Sequence, residues 1–136
     1  MNLHLQNMAL DSSSKAKKIL IVEDDSIQQI ILEQLISRMG HTVIGSSSKG
    51  ATAIESAIRI GAVDLILMDI NLADDIDGIE AAKEISKHRE VKLVYITSTD
   101  DPDVLARAKA TEHIALLVKP LSKKMLEDVF IEAFPA

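Results

Sequence analysis

Four short apolar runs each end on a side chain that can do chemistry. Residues 19–22 (ILIV) run into Glu23 and Asp24, residues 65–68 (LILM) into Asp69, residues 93–96 (LVYI) into Thr97, and residues 115–118 (ALLV) into Lys119. Three carboxylates, a hydroxyl and an amine make chemical sense as a set if they meet. Two unit charges about 4 Å apart repel by roughly 4 kcal/mol at an effective dielectric of about 20. Three such pairs would approach the whole stability of a domain, about 5–15 kcal/mol. One lysine offsets only part of this charge, so a hard divalent cation is the simplest remedy. Few carboxylates, with room for waters and a phosphate oxygen, suit magnesium better than calcium. Beside such a cation an aspartate can attack phosphorus and form an acyl phosphate. Phosphoryl transfer asks mainly for positioning and charge stabilisation, which the cation, the Lys119 ammonium and the Thr97 hydroxyl would supply. No histidine or thiol base is required.

The elements that must bring these residues together follow from periodicity. Apolar runs of four or five residues alternate with segments of helical period from Lys17 onward. Strands are predicted over 19–22, 42–45, 65–68, 93–96 and 115–118. Helices are predicted over about 26–39, 50–60 and 78–88, then from an Asp101 cap with Pro102 in the first turn, and from a Ser122 cap to about residue 134. The inward stripes are expected to be Ile27, Ile30, Ile31, Gln34, Leu35 and Arg38 in the first helix, and Ala53, Ile54, Ala57 and Ile58 in the second. In the third they are Ile79, Ala82 and Ile85. Asp25 is read as the cap of the first helix, and Asp74, Asp75 and Asp77 as turn and cap residues. Strict alternation predicts an α/β fold, a doubly wound five-stranded parallel sheet, (βα)5, with helices on both faces. In such a sheet the strand C-termini share one edge, where ligands bind. Residues far apart in sequence thereby converge.

Bulk composition narrows the function further. The 136 residues suffice for one domain, and residues 1–16 (MNLHLQNMALDSSSKA), with weak periodicity and a serine run, are read as a flexible N-terminal extension to a domain over 17–136. A net charge of -6 and three aromatic residues, Tyr95, Phe130 and Phe134, argue against a nucleic-acid face. The absence of cysteine removes disulfides, thiolate catalysis and Cys-ligated metals. No long apolar span or leader is evident, so a soluble, cytoplasmic protein is expected. His4, His41, His88 and His113 lack metal-ligand spacing and are read as surface or packing residues, and Met39, Met68 and Met125 as core. There is no phosphate-cradling glycine loop.

In order and spacing, ILIVEDD, LILMDIN, VYITS and LLVKP resemble the response-regulator receiver domain of two-component signalling, over essentially Lys17 to Phe134. The resemblance implies a flavodoxin-like, CheY-like sheet with strand order 2-1-3-4-5. It implies that Asp69 is the phosphoacceptor and that Asp24 and Asp69 ligate Mg2+ directly. Glu23 would act mainly through water, and the Asn71 carbonyl would be a further ligand. Thr97 and Lys119 would complete the catalytic set, and the Lys119–Pro120 bond would be cis. The phosphoryl donor would be a histidine kinase or phosphotransfer protein, and the output a change at the face of helix four, strand five and helix five. That output would reach a downstream protein or a phosphorylation-dependent homodimer. Three positions depart from the commonest pattern: Ala73 replaces a proline, Leu116 stands where strand five often carries Tyr or Phe, and Leu121 replaces an aromatic after Lys-Pro.

The expected function is a magnesium-dependent phosphoacceptor switch, with at most slow autophosphorylation and autodephosphorylation rather than metabolic catalysis. Two other readings stand beside it. A phosphohydrolase of the haloacid-dehalogenase type also uses a strand-end aspartate, but wants a second aspartate two residues on, where this chain has Asn71. A binding module that kept the fold and lost phosphorylation is the other.

Overall fold

The computed structural model describes residues 16–136; the expected extension over 1–16 lies, apart from Ala16, outside them. Five strands alternate with five helices: β1 Lys18–Val22, α1 Ser26–Arg38, β2 Thr42–Ser47, α2 Gly50–Arg59, β3 Leu65–Asp69, α3 Gly78–Ser86, β4 Lys92–Thr97, α4 Pro102–Lys109, β5 Ala115–Val118 and α5 Lys123–Ala133. All the strand pairs are parallel, in the order β2-β1-β3-β4-β5. The doubly wound fold is as the sequence pattern predicts, and the strand order is as the resemblance implies.

The central strands are apolar on both faces because both are covered. Leu20, Val22, Ile66, Met68, Leu93 and Tyr95 point to one side, under Ala53 and Ala57 of α2, Ile79, Ala82 and Ile85 of α3, and Ala108 of α4. Ile19, Ile21, Leu65, Leu67, Val94 and Ile96 point to the other, under Leu32 and Ile36 of α1 and Leu126, Val129, Phe130 and Ala133 of α5. With two phenylalanines in the chain, the core is aliphatic, and small alanines let α2 and α3 sit close to the sheet.

Short side chains set the helix starts. Asp25 accepts from the amides of Ile27 (2.9 Å) and Gln28 (3.1 Å), Asp77 from Glu80 (2.8 Å), Asp101 from Asp103 (2.9 Å), and Ser122 from Met125 (3.1 Å). These satisfy first-turn N–H groups that have no partner within the helix. Tyr95 is buried in β4, and its hydroxyl lies 2.6 Å from the Thr111 hydroxyl, which donates to the Ala108 carbonyl at the end of α4.

The first helix corrects its predicted stripe. Leu32 and Ile36 are buried and Leu35 and Met39 half-buried, whereas Ile27, Ile30 and Ile31 are 67%, 53% and 44% exposed, and Gln34 and Arg38 face water. At about 100° per residue the buried set is turned by roughly a third of a circle from the predicted one. Isoleucines occupy both sides of this helix, so periodicity admits two inward faces and docking on the sheet selects one. In α2, Ala53 and Ala57 are buried as expected, but Ile58 is 42% exposed. The narrow alanine face makes the close contact there and leaves the flanking isoleucine at its margin.

Candidate functional site

The strand ends place the predicted residues along one edge of the sheet. Backbone bonds at that edge fix them: the Glu23 amide donates to Ser47 O (2.9 Å), Ile70 to Ile96 O (3.0 Å) and Lys119 to Thr97 O (2.8 Å). Glu23, Asp69 and Thr97 are buried at 1%, 3% and 0% exposure, and Asp24 lies exposed at the mouth. Each of Glu23, Asp24 and Asp69 offers a carboxylate oxygen within 4.8 Å of the others. The three acids therefore crowd together.

Lys119 reaches into this group. Its Nζ donates to Asp69 Oδ2 at 2.9 Å and lies 2.8 Å from Glu23 Oε1. The second contact is an ion pair without hydrogen-bond geometry, and Glu23 Oε1 is a buried oxygen with no hydrogen bond. Glu23 Oε2 accepts from the Asp25 amide at 3.3 Å, and Asp69 Oδ1 from the Asn71 amide at 3.2 Å. Thr97 stands on the neighbouring strand, where its hydroxyl accepts from the Thr99 amide at 3.0 Å and bonds to none of the four charged groups. The Lys119–Pro120 peptide is cis, as the resemblance implies.

The charge balance shows in the acid–base behaviour. Burial, reinforced by the neighbouring Asp69, raises the Glu23 pKa despite the opposing Lys119. Asp24 is raised by partial loss of water and by Glu23 beside it. For Lys119 burial works against the charge, but its close ion pair with Glu23 and its hydrogen bond to Asp69 prevail and raise its pKa. Three carboxylates against one ammonium, with a buried oxygen still lacking a donor, form a hard-oxygen set of the kind that fits a small divalent cation.

The loop after β3 closes tightly on the site. The Gly78 amide donates to Ile70 O at 2.7 Å, and a Cβ at Gly78 would stand 2.1 Å from the Asp69 carbonyl oxygen. Only glycine fits there. Asp74 in this loop caps a helix other than the one that follows it: Oδ1 accepts from the Gly50 amide (2.8 Å) and Oδ2 from Ala51 (3.0 Å), at the start of α2. The partner amides are remote in sequence, so the turn reading of Asp74 carried no signal of them. Arg107 of α4 likewise meets Asp77 at 3.0 Å, tying α4 to the start of α3.

Comparison with known proteins agrees with this geometry. Residues 19–130 match the family model of the response regulator receiver domain. The chain belongs to this family. It is 32% identical over 106 residues to the transcriptional regulatory protein PdtaR of Mycobacterium tuberculosis, covering 78% of this chain and 51% of that protein. It is 34% identical over 105 residues to the chemotaxis protein CheY of Thermotoga maritima, covering 76% of this chain and 86% of CheY. The receiver therefore spans about half of PdtaR and most of this CheY. Among solved structures, the receiver domain of a Pseudomonas aeruginosa sensor histidine kinase, which has a magnesium ion coordinated in its active site cleft, is 26% identical. It superposes with a TM-score of 0.78 over 89% of this chain and 99% of that one. Receivers of two-component systems are phosphoacceptor switches rather than metabolic enzymes, and they bind Mg2+ at an acidic pocket. Among the described residues no helix is long and apolar enough to cross a membrane.

Proposed function

We propose that Asp69 accepts a phosphoryl group from a histidine kinase or phosphotransfer protein in a Mg2+-dependent step, and that the face made by α4, β5 and α5 passes the signal on. The single observation that carries this reading is the convergence of Glu23, Asp24, Asp69 and Lys119, which brings the three carboxylates within 4.8 Å of one another and an ammonium 2.9 Å from Asp69. A carboxylate oxygen of Asp69 attacks phosphorus, the donor N–P bond breaks, and the histidine nitrogen keeps the electron pair and takes a proton. When bound, Mg2+ would neutralise the carboxylates and the transferring oxygens. Glu23, Asp24, Asp69 and the Asn71 carbonyl would hold it. Lys119 orients Asp69 and stabilises charge on the phosphoryl oxygens. Thr97 exchanges its bond from the Thr99 amide for one to the phosphoryl group, which draws β4 and its neighbours inward.

The exposed Ile27, Ile30 and Ile31 begin three residues after Asp24 and give the donor protein an apolar surface beside the site. On the output face β5 is half-buried, Val118 is 53% exposed, and Leu116 pairs in register with Tyr95. Signal passes from there to a downstream protein or a second copy of the chain. On this reading residues 17–136 form one cytoplasmic receiver unit and 1–16 its extension.

The test is labelling with a small phosphodonor such as acetyl phosphate and magnesium, followed by intact mass. The wild type gains one phosphoryl group, and Asp69→Asn gains none. Equal labelling of both, or continuing turnover of a phosphate ester by the wild type, would overturn the assignment.

A further inference from the structure

The loop between β3 and α3, residues 70–77, contains no proline, and its conformation is held from outside. Both oxygens of Asp74 are engaged by the first two amides of α2, at 2.8 and 3.0 Å. The Ala73 amide donates to the Ser48 carbonyl at 3.4 Å, and Ile76 packs against the same helix start, where a Cβ on Gly50 would lie 2.5 Å from the Ile76 carbonyl oxygen. Lys49, at the cap position of α2, provides no side-chain hydrogen bond of its own. Contacts from Ala73, Asp74 and Ile76 thus seat the apex of the loop on the start of α2 and the residues just before it, while Gly78 closes its base on Ile70.

Asn71 stands three residues before Asp74 in this loop, and its amide bonds Asp69 Oδ1. We propose that Asp74 is a positioning residue for the cation: its two hydrogen bonds to α2 fix the loop that presents the Asn71 carbonyl to the acidic cluster. This rests on the metal reading given above. The bonds from Ala51 and Gly50 hold the Asp74 carboxyl below its ordinary pKa, so the clamp is ionised at neutral pH. Linkage makes the relation reciprocal, because whatever the clamp adds to cation affinity, the cation adds to the clamp. Side chains hydrogen-bonded directly to metal ligands change metal affinity by about 10- to 100-fold when removed, and Asp74, acting one step further back through the loop, belongs at the low end.

The experiment titrates the purified full chain with magnesium chloride by calorimetry and follows amide exchange at Gly50 and Ala51 with and without the metal. Asp74→Ala is expected to weaken Mg2+ binding about tenfold. Asp74→Asn, which keeps one acceptor oxygen, falls between it and the wild type, and carries the comparison if the alanine variant fails to fold. Asp75→Asn removes the same charge from the same loop without touching the clamp, and its affinity stays close to that of the wild type. In the wild type Mg2+ slows exchange of both amides. Equal affinities for the Asp74→Asn and Asp75→Asn variants, or exchange indifferent to Mg2+, would overturn the positioning role. A wild type that binds no Mg2+ would instead overturn the metal reading, and this inference with it.

Discussion

Replacing Lys119 by methionine keeps an unbranched stem of similar shape, one atom shorter, and removes the one ammonium that sits among the three acids. At 2.8 Å from Glu23 and 2.9 Å from Asp69, each attraction is worth roughly 6 kcal/mol at an effective dielectric of about 20, before desolvation is counted. Desolvation of the pairs cancels part of that gain, and breaking a buried pair typically costs about 3–5 kcal/mol. With the lysine side chain 21% exposed, the low end applies, about 3 kcal/mol. In EDTA, urea denaturation should lose about 2 M in midpoint for a slope of about 1.5 kcal/mol/M. Magnesium should act in the opposite sense. The ammonium contacts carboxylate oxygens of Glu23 and Asp69, two of the three acids that would hold the cation, so its removal relieves repulsion. Relief of about 1.4 kcal/mol makes Mg2+ binding about tenfold tighter in the variant. Calorimetry with magnesium chloride reads this directly. An unchanged urea midpoint in EDTA, or weaker Mg2+ binding in Lys119→Met, would refute the claim that lysine and cation share these carboxylates.

The corrected face of α1 separates two substitutions one residue apart: Leu32→Ala should cost about 2–5 kcal/mol in urea denaturation, and Ile31→Ser no more than about 0.5 kcal/mol. Gly78→Ala drives a Cβ into the Asp69 carbonyl, so a loss of about 3 kcal/mol or more, or failure to fold, is expected from thermal denaturation. Without metal, Glu23 and Asp24 ionise above their ordinary 4.5 and 3.8, so the folded state holds protons that the unfolded chain has released. Their contribution to stability therefore falls as pH rises from those values through the raised ones. The urea midpoint in EDTA should show this decline, and Glu23→Gln should lessen it. The raised Lys119 contributes fully below 10.5 and loses that contribution as pH rises through its folded pKa, giving a second decline that Lys119→Met lacks.

Strand identity was legible because short all-apolar runs alternate with segments of helical period, a pattern that a parallel sheet covered by helices explains, whereas the strand order came from the family resemblance. The strand-end residues were legible for a related reason: parallel strands bring all their C-termini to one edge whatever the intervening lengths. Caps such as Asp25, Asp101 and Ser122 announce themselves by local chemistry. What stayed hidden depends on partners remote in sequence. Nothing near Asp74 marks its partners as Gly50 and Ala51, and nothing near Arg89 indicates that its guanidinium donates to the carbonyls of Ala57, Ile60 and Gly61. The inward face of α1 was hidden too, because isoleucine lines more of that helix than the sheet can cover.

The two ends of α2 are held by side chains that arrive later in the chain, Asp74 at the start and Arg89 at the finish. At ten residues, with Lys49 and Ile60 offering no side-chain cap at either end, this helix is shorter than the roughly 12–15 residues that an isolated helix needs in water. Its order thus presupposes that the third βα unit is already in place. A fragment ending before Leu65 would leave these residues as coil, and the segment would complete its winding only once its downstream neighbours had docked.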